Sequence, residues 1–216
     1  MTLEELRAFL HPTDPYAGFP LAEWPEDRQG WGSEDRCFAE IMAQLRPTAI
    51  AEIGSWKGAS AIHMARTAQN LGLPAHILCV DTWLGGTEHI MDPRWRPSLT
   101  QHFGRPDIYL QFLANVLHCD LAARVTPFCQ TSVNAARVLH HCGTQFDLVY
   151  LDGSHEEDDV FADIVHWWPL LRQGGIMLGD DYSRPFPGVV AAVNRFRDKA
   201  GIAVQVNGVK WMAQKG

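Results

Sequence analysis

Acidic side chains and a histidine follow two neighbouring apolar runs of the sequence. Asp152 ends one run, with His155 three residues later, and Asp180 and Asp181 follow the next run. Adjacent parallel strands lie roughly 5 Å apart, so we expect the three carboxylates to meet at one edge of a sheet. Crowded carboxylates repel unless one keeps its proton or a cation joins them. An oxygen-only set favours Mg²⁺ over Zn²⁺, and a histidine can accept a hydroxyl proton near neutral pH.

A glycine turn follows an earlier apolar run and reads E-I-G-S-W-K-G-A-S from Glu52 to Ser60. Gly54 permits a tight turn and a close approach to a ligand, and Gly58 opens a helix whose first amides attract a carboxylate or phosphate. The G-x-G-x-x-G dinucleotide fingerprint is absent, and the bulky Trp56 lies inside the loop. This spacing argues against NAD.

The next predicted strand ends in Asp81, which Thr82 and Trp83 follow. A carboxylate at this position can accept hydrogen bonds from both hydroxyls of a ribose. Asp81 alone is equally typical of a turn, but beside the glycine loop it predicts a nucleoside ligand at the carboxyl ends of the strands.

Together these segments resemble those of class I S-adenosylmethionine-dependent methyltransferases. The motif E-x-G-x-x-x-G-x-S is similar to the loop of the catechol O-methyltransferase-like branch, and the resemblance extends from about residue 33 to the C-terminus. It implies that the acid and glycines of the loop line the methionine part of the cofactor, that Ser60 holds its carboxylate and that Asp81 holds its ribose. The segment after the third strand, residues 130–132, is expected at the adenine. The implied cofactor-binding residues are Glu52, Gly54, Ser55, Trp56, Gly58, Ser60, Asp81, Thr82, Trp83, Thr131, Ser132 and Asp152.

The resemblance also implies a metal site and a base. Metal-dependent O-methyltransferases of this type place their ligands at the equivalents of Asp152, Asp180 and Asp181, although the catechol branch has an asparagine where this chain has Asp181. His155 stands where those enzymes carry a lysine base, and D-G-S-H is closer to macrolide-sugar methyltransferases and cephalosporin-hydroxylase-like proteins. The expected activity is Mg²⁺-assisted O-methylation of a small hydroxylated metabolite, such as a sugar or polyketide. His155 and Asp152 are the expected catalytic residues, with His155 as the general base.

Two other function classes are compatible with the same residues. A metal-assisted hydrolase or hydroxylase could use the acids without S-adenosylmethionine, and a non-catalytic module could hold the nucleoside on the same fold. A serine hydrolase is disfavoured because the sequence has no G-x-S-x-G elbow.

Composition narrows the classes of partner. The 216 residues carry 18 Lys and Arg against 25 Asp and Glu, a net charge of −7, without a basic stretch, so we expect a small-molecule substrate and no nucleic acid. Because no long apolar run or export signal is visible, we expect no membrane association and a cytoplasmic location. The five cysteines, odd in number and without C-x-x-C, fit a reducing compartment. We expect a homodimer only because homodimers are the commonest oligomers of soluble proteins.

The elements that position these residues form an alternating pattern. It predicts one Rossmann-like, doubly wound α/β domain at 33–216, mostly parallel, with a C-terminal antiparallel hairpin turning at Asn207-Gly208, and an N-terminal arm or lid at 1–32. The predicted strands are Ala49–Ile53, His76–Val80, Arg124–Cys129, Phe146–Leu151, Gly175–Leu178, Ile202–Val206 and Val209–Ala213. The predicted helices are Leu3–Leu10, one capped by Ser33 and ending before Pro47, Ala59–Leu71, Ile108–Cys119, Val133–His140, Asp158–Leu171 and Gly188–Asp198.

Overall fold

The computed structural model describes all residues, 1–216. The strands are β1 Ala49–Ile53, β2 His76–Asp81, β3 Gln101–His102, β4 Arg105–Pro106, β5 Val125–Cys129, β6 Phe146–Leu151, β7 Leu171–Gly179, β8 Gln205–Asn207 and β9 Lys210–Gln214. The helices are α1 Leu3–Leu10, α2 Arg36–Leu45, α3 Ala59–Asn70, α4 Thr87–Met91, α5 Ile108–His118, α6 Ser132–His141, α7 Glu157–Trp167 and α8 Pro187–Ala200. None of these helices is both long and apolar enough to cross a lipid bilayer.

Seven strands form one sheet in the order β5-β2-β1-β6-β7-β9-β8. The first five are parallel, whereas β9 runs antiparallel to β7 and β8. This arrangement confirms the Rossmann-like α/β fold and its C-terminal hairpin. Since the chain leaves β1 toward β2 and later returns to the other side of β1 as β6, the strand order reverses here, where open α/β sheets bind ligands.

Helices cover both faces of the sheet, which explains why its central strands are apolar without alternation. Along β6, Leu148 and Tyr150 belong to the core on one face, and Val149 and Leu151 belong to the core on the other. Successive side chains of a strand point to opposite faces, so a strand buried on both sides needs an apolar residue at nearly every position.

The start of α2 differs from the prediction. Ser33 is not the cap; α2 begins at Arg36, and the Asp35 carboxylate accepts a hydrogen bond from the amide of Cys37 at 2.8 Å. Aspartate is as good an N-cap as serine, and Asp35 follows Ser33 by two residues, so the helix begins later than predicted.

The end of α7 also differs. The helix stops at Trp167, a short 3-10 turn covers Trp168–Leu170, and β7 already begins at Leu171. Pro169 has no amide hydrogen to donate and its ring clashes with a continuing helix, which ends the predicted helix early. The strand that follows is accordingly longer than the predicted Gly175–Leu178.

Residues 84–106 form an insertion after β2, for which no helix or strand was predicted. It contains α4, a 3-10 turn at Arg96–Ser98 and the two-residue hairpin β3-β4. These pieces are too short to produce a recognisable hydrophobic period.

Candidate functional site

The glycine loop follows β1 and lies against the exit of β6. Gly54 has φ +84°, and a Cβ there would stand 2.1 Å from the carbonyl oxygen of Asp152. Gly58 has φ +85°, and a Cβ there would meet the Phe112 ring at 2.9 Å. Both positions therefore require glycine, as predicted, and the tight turn brings the loop beside Asp152.

Asp81, at the end of β2, holds this loop in place. One of its carboxylate oxygens accepts hydrogen bonds from the amides of Ser55 and Trp56, both at 2.9 Å, and the other accepts one from the amide of Trp83 at 2.7 Å. Burial raises the pKa of Asp81, and these backbone hydrogen bonds oppose the shift. A carboxylate has about four acceptor sites, so Asp81 retains room for about one ligand hydroxyl rather than two.

Three polar atoms around the loop are buried and have no hydrogen-bond partner: Oε2 of Glu52, Oγ of Ser55 and Nε1 of Trp56. The other Glu52 oxygen accepts a bond from the Ser60 hydroxyl at 2.5 Å. Burial raises the pKa of Glu52 to about 7. Buried polar groups are rarely left unpaired, so these atoms indicate a polar ligand, and the amino acid part of a cofactor fits them.

The tryptophans that flank this loop differ in environment. Trp56, with φ +46°, stacks on His89 of α4, with ring centroids 4.3 Å apart. Trp83 is buried in the core against Tyr109 and Phe112, and its indole donates to the Trp56 carbonyl at 2.8 Å. Trp83 thus supports the loop, and Trp56 packs against the insertion through His89.

The residues predicted near the adenine lie where β5 meets α6. Thr131 is the N-cap residue of α6, and its side chain makes no capping bond. The Ser132 hydroxyl accepts a bond from the Trp167 indole at 2.9 Å. Thr82 lies one residue beyond Asp81, and its hydroxyl accepts a bond from the amide of Leu84 at 3.3 Å.

The exits of β6 and β7 carry a buried network of charged groups. The Tyr150 hydroxyl lies 2.9 Å from Asp152 Oδ2 and 3.1 Å from Asp180 Oδ2. The Lys210 ammonium, from β9, donates to the same Asp180 oxygen and to the Tyr150 hydroxyl, the latter at 3.2 Å. Burial, with the nearby charge of Asp180, raises the pKa of Asp152 to about 7. The second Asp152 oxygen accepts no hydrogen bond from the protein and can face a substrate.

His155 lies between two carboxylates. Its Nε2 is 2.9 Å from Asp181, and its Nδ1 is 3.0 Å from Glu88 of the insertion. Burial lowers the pKa of His155, but the hydrogen bond that His155 donates to Asp181 and the charge of Glu88 outweigh burial and raise it to about 9. The imidazole is thus protonated at neutral pH and has no free lone pair.

Asp152, Asp180 and Asp181 do not form a set of metal ligands in this structure, and the predicted Mg²⁺ site stays a prediction. No group of three Asp, Glu, His or Cys side chains in the chain is arranged to hold a metal ion. Asp180 is paired with Lys210, and Asp181, whose backbone has φ +60°, turns to His155. The donor set present here does not fit a divalent cation.

Tyr150, Lys210 and Glu88 were not predicted as site residues from the sequence. Tyr150 lies inside an apolar run and Lys210 inside a hairpin, 60 residues apart, so no local pattern joins them. Glu88 belongs to the insertion, where no helix or strand was predicted that could be oriented toward His155.

A family model and several solved structures match this chain. Residues 51–182 match the family model described as a methyltransferase domain. A putative caffeoyl-CoA O-methyltransferase from Staphylococcus aureus is similar in structure, with TM-score 0.63 and 13% identity, covering 100% of this chain and 93% of the other. The calicheamicin-biosynthesis enzyme CalS11, a TDP-rhamnose 3'-O-methyltransferase, has a TM-score of 0.61 and 16% identity, and the match covers 98% of this chain and 92% of CalS11. The O-methyltransferase TomG of Streptomyces achromogenes, solved with S-adenosylmethionine, has a TM-score of 0.60 and 16% identity, and the match covers 98% of this chain and 89% of TomG. No curated protein matches significantly.

Proposed function

The chain belongs to the class I methyltransferase-domain family, and from that premise we propose that it transfers a methyl group from S-adenosylmethionine to a hydroxyl oxygen of a small molecule. The family model spans more than half of the chain and includes both the glycine loop and the acidic exits of β6 and β7. The choice of oxygen as acceptor rests on the acidic network and on the similarity to O-methyltransferase structures.

The observation that carries the proposal is the set of unpaired buried polar atoms around the glycine loop, at the point where the strand order reverses. Glu52, Ser55 and the first amides of α3 would hold the amino acid part of the cofactor. Asp81 would accept one ribose hydroxyl, and Thr131 would contact the adenine. When bound, S-adenosylmethionine would supply a methyl group bonded to a positively charged sulfur, and the sulfur would leave as a neutral thioether when an oxygen nucleophile takes the methyl group.

The residues at the exit of β6 then receive the proton that the acceptor hydroxyl loses. His155 is the base that the sequence predicted, but both of its ring nitrogens contact carboxylates in this conformation. Asp152 has an unoccupied oxygen and adjoins the loop through Gly54. We assign Asp152 as the group that accepts the proton. His155 serves to orient Asp181. Because the predicted ligand set is not formed, we assign no step to Mg²⁺.

The experiment is an incubation of the protein with S-adenosylmethionine and a panel of catechols, hydroxylated polyketides and nucleotide sugars, followed by mass spectrometry. We expect one acceptor to gain the mass of one methylene group only when S-adenosylmethionine is present, in EDTA as well as in Mg²⁺. A product formed without S-adenosylmethionine would instead support the hydrolase or hydroxylase hypothesis. Binding of S-adenosylmethionine without turnover of any acceptor class would support the non-catalytic module.

A further inference from the structure

Lys210 is a buried lysine at the centre of the acidic network. Its side chain is 4% exposed, and its ammonium donates to Asp180 Oδ2 and to the Tyr150 hydroxyl. The same ammonium lies 5.3 Å from the Phe38 ring centroid and 5.2 Å from that of Tyr150. A lysine is rarely buried unless its charge is compensated, and here a carboxylate and two aromatic faces compensate it.

The lysine uses the oxygens that a metal ion would need. Asp180 Oδ2 accepts from Lys210 and lies beside the Tyr150 hydroxyl, while Asp180 Oδ1 accepts from the amide of Asp181 at 2.8 Å. Both oxygens of this carboxylate are therefore engaged. A divalent cation placed beside the ammonium in this buried site would be repelled strongly, because little solvent screens the two charges.

The N-terminal arm leaves little space for a hydrated ion. Gly32 lies directly over the ion pair: a Cβ at this position would stand 3.2 Å from Asp180 Oδ2 and 3.6 Å from the Lys210 ammonium. Mg²⁺ gives up its water reluctantly and usually keeps several water ligands when protein carboxylates bind it. The arm covers the side of the pair where such waters would have to stand.

We infer that the Lys210 ammonium replaces a divalent cation in this site, so that the chain works without a metal. This inference rests on the proposed methyltransferase function for its role in catalysis, whereas the argument against a metal rests on the Lys210–Asp180 ion pair and on the position of Gly32. Lys210 is a positioning residue: it fixes Asp180 and donates to Tyr150, whose hydroxyl reaches Asp152. It supplies one fixed positive charge beside the carboxylates without contacting the acceptor.

The test is a titration of the EDTA-dialysed chain with Mn²⁺, which prefers oxygen ligands as Mg²⁺ does. The electron paramagnetic resonance signal of free Mn²⁺ measures how much of the ion stays unbound. We expect the wild-type protein to leave the free signal essentially unchanged. Lys210→Ala removes the competing charge and should bind one Mn²⁺ at least about tenfold more tightly than the wild type, because unpaired buried carboxylates then gain a cation. Lys210→Arg keeps the charge and should bind no better than the wild type.

The wild-type measurement decides the inference even if a variant fails to fold. Stoichiometric Mn²⁺ binding to the wild type that Asp152→Asn or Asp180→Asn abolishes would overturn it. A folded Lys210→Ala protein with no gain in Mn²⁺ binding would also overturn it, and Lys199→Ala, at an exposed lysine of α8, is the matched control. S-adenosylmethionine is titrated into the same samples: absence of its binding counts against the proposed function and leaves the metal result standing.

Discussion

Asp152 and His155 show how the surroundings of a residue decide its chemistry. Both were predicted as catalytic residues from their positions after β6. The structure surrounds His155 with Asp181 and Glu88, which favour the cation, whereas burial favours the neutral form of Asp152. The residue types could be predicted from sequence, but the protonation states depend on Glu88, Asp180 and other groups that are distant in the chain.

The pH dependence of turnover distinguishes the two candidate bases. A base must be deprotonated to act, so the rate rises with pH through the pKa of the base. With Asp152 as base, kcat/KM, which reports the pKa values of the free enzyme, should be half-maximal near the Asp152 pKa of about 7 and level above it. Asp152→Asn should lower kcat by about 10²-fold or more, and His155→Gln by less than about tenfold. A profile centred near the His155 pKa of about 9, and abolished in His155→Gln, would contradict this assignment.

Glu52 should make the protein less stable as pH rises. Its pKa is raised from 4.5 to about 7, so the folded state keeps a proton that the unfolded chain releases, and stability falls through this window and levels off above it. The shift corresponds to about 3 kcal/mol. Glu52→Gln cannot ionise and should gain about 2–3 kcal/mol relative to wild type between about pH 5 and about pH 8, measured by urea unfolding.

Glu40→Gln, at an exposed position of α2, is the control for this comparison because it makes the same change outside the buried loop. If Glu52→Gln follows the wild-type curve at every pH, Glu52 is ionised throughout and the assigned shift is wrong.

At the scale of elements, the arm and the insertion enclose the site. Residues 24–29 of the arm are attached to α5 and the glycine loop: the buried Asn115 side chain donates to the carbonyls of Asp27 and Lys57, both at 2.8 Å, and accepts from the Asp27 amide at 3.0 Å. The Lys57 ammonium pairs with Asp27 at 2.5 Å. The irregular composition of the arm predicted the absence of regular structure but not these contacts, because each joins residues far apart in sequence.

Asn115→Ala should release the arm. The substitution leaves the buried Lys57 carbonyl without its partner, whereas the amide and carbonyl of the exposed Asp27 can bond to water instead. One unpaired buried group costs about 1–3 kcal/mol, so we expect a loss of about 1–3 kcal/mol in unfolding free energy. Limited proteolysis should then cut residues 24–29 faster than in the wild type.

Gln111→Ala, one turn earlier on α5, is the matched control. It removes bonds to the Pro25 carbonyl and to Asn115 at a less buried position and should cost less than about 1 kcal/mol. Equal stability and equal cleavage of Asn115→Ala and the wild type would show that Asn115 does not secure the arm.

For the whole molecule, the sequence predicted the doubly wound sheet because its signals are local. The apolar run of β6, the glycine turn at Gly54 and the Asn207-Gly208 hairpin each depend on neighbouring residues only. The site was predicted only in part, since its cation, Lys210, is contributed by the hairpin to acids on β6 and β7. Competition between an ammonium and a metal ion is a property of the assembled fold and cannot be deduced from any single motif.

Isothermal titration of the EDTA-dialysed protein with S-adenosylmethionine tests the central claim most directly. We expect one site of roughly micromolar affinity, about −8 kcal/mol, with the same affinity when Mg²⁺ is added. The glycine loop, Asp81 and the unpaired atoms of Glu52 and Ser55 would account for such binding without a metal. Absence of binding both in EDTA and in Mg²⁺ would contradict the assignment of this site to S-adenosylmethionine.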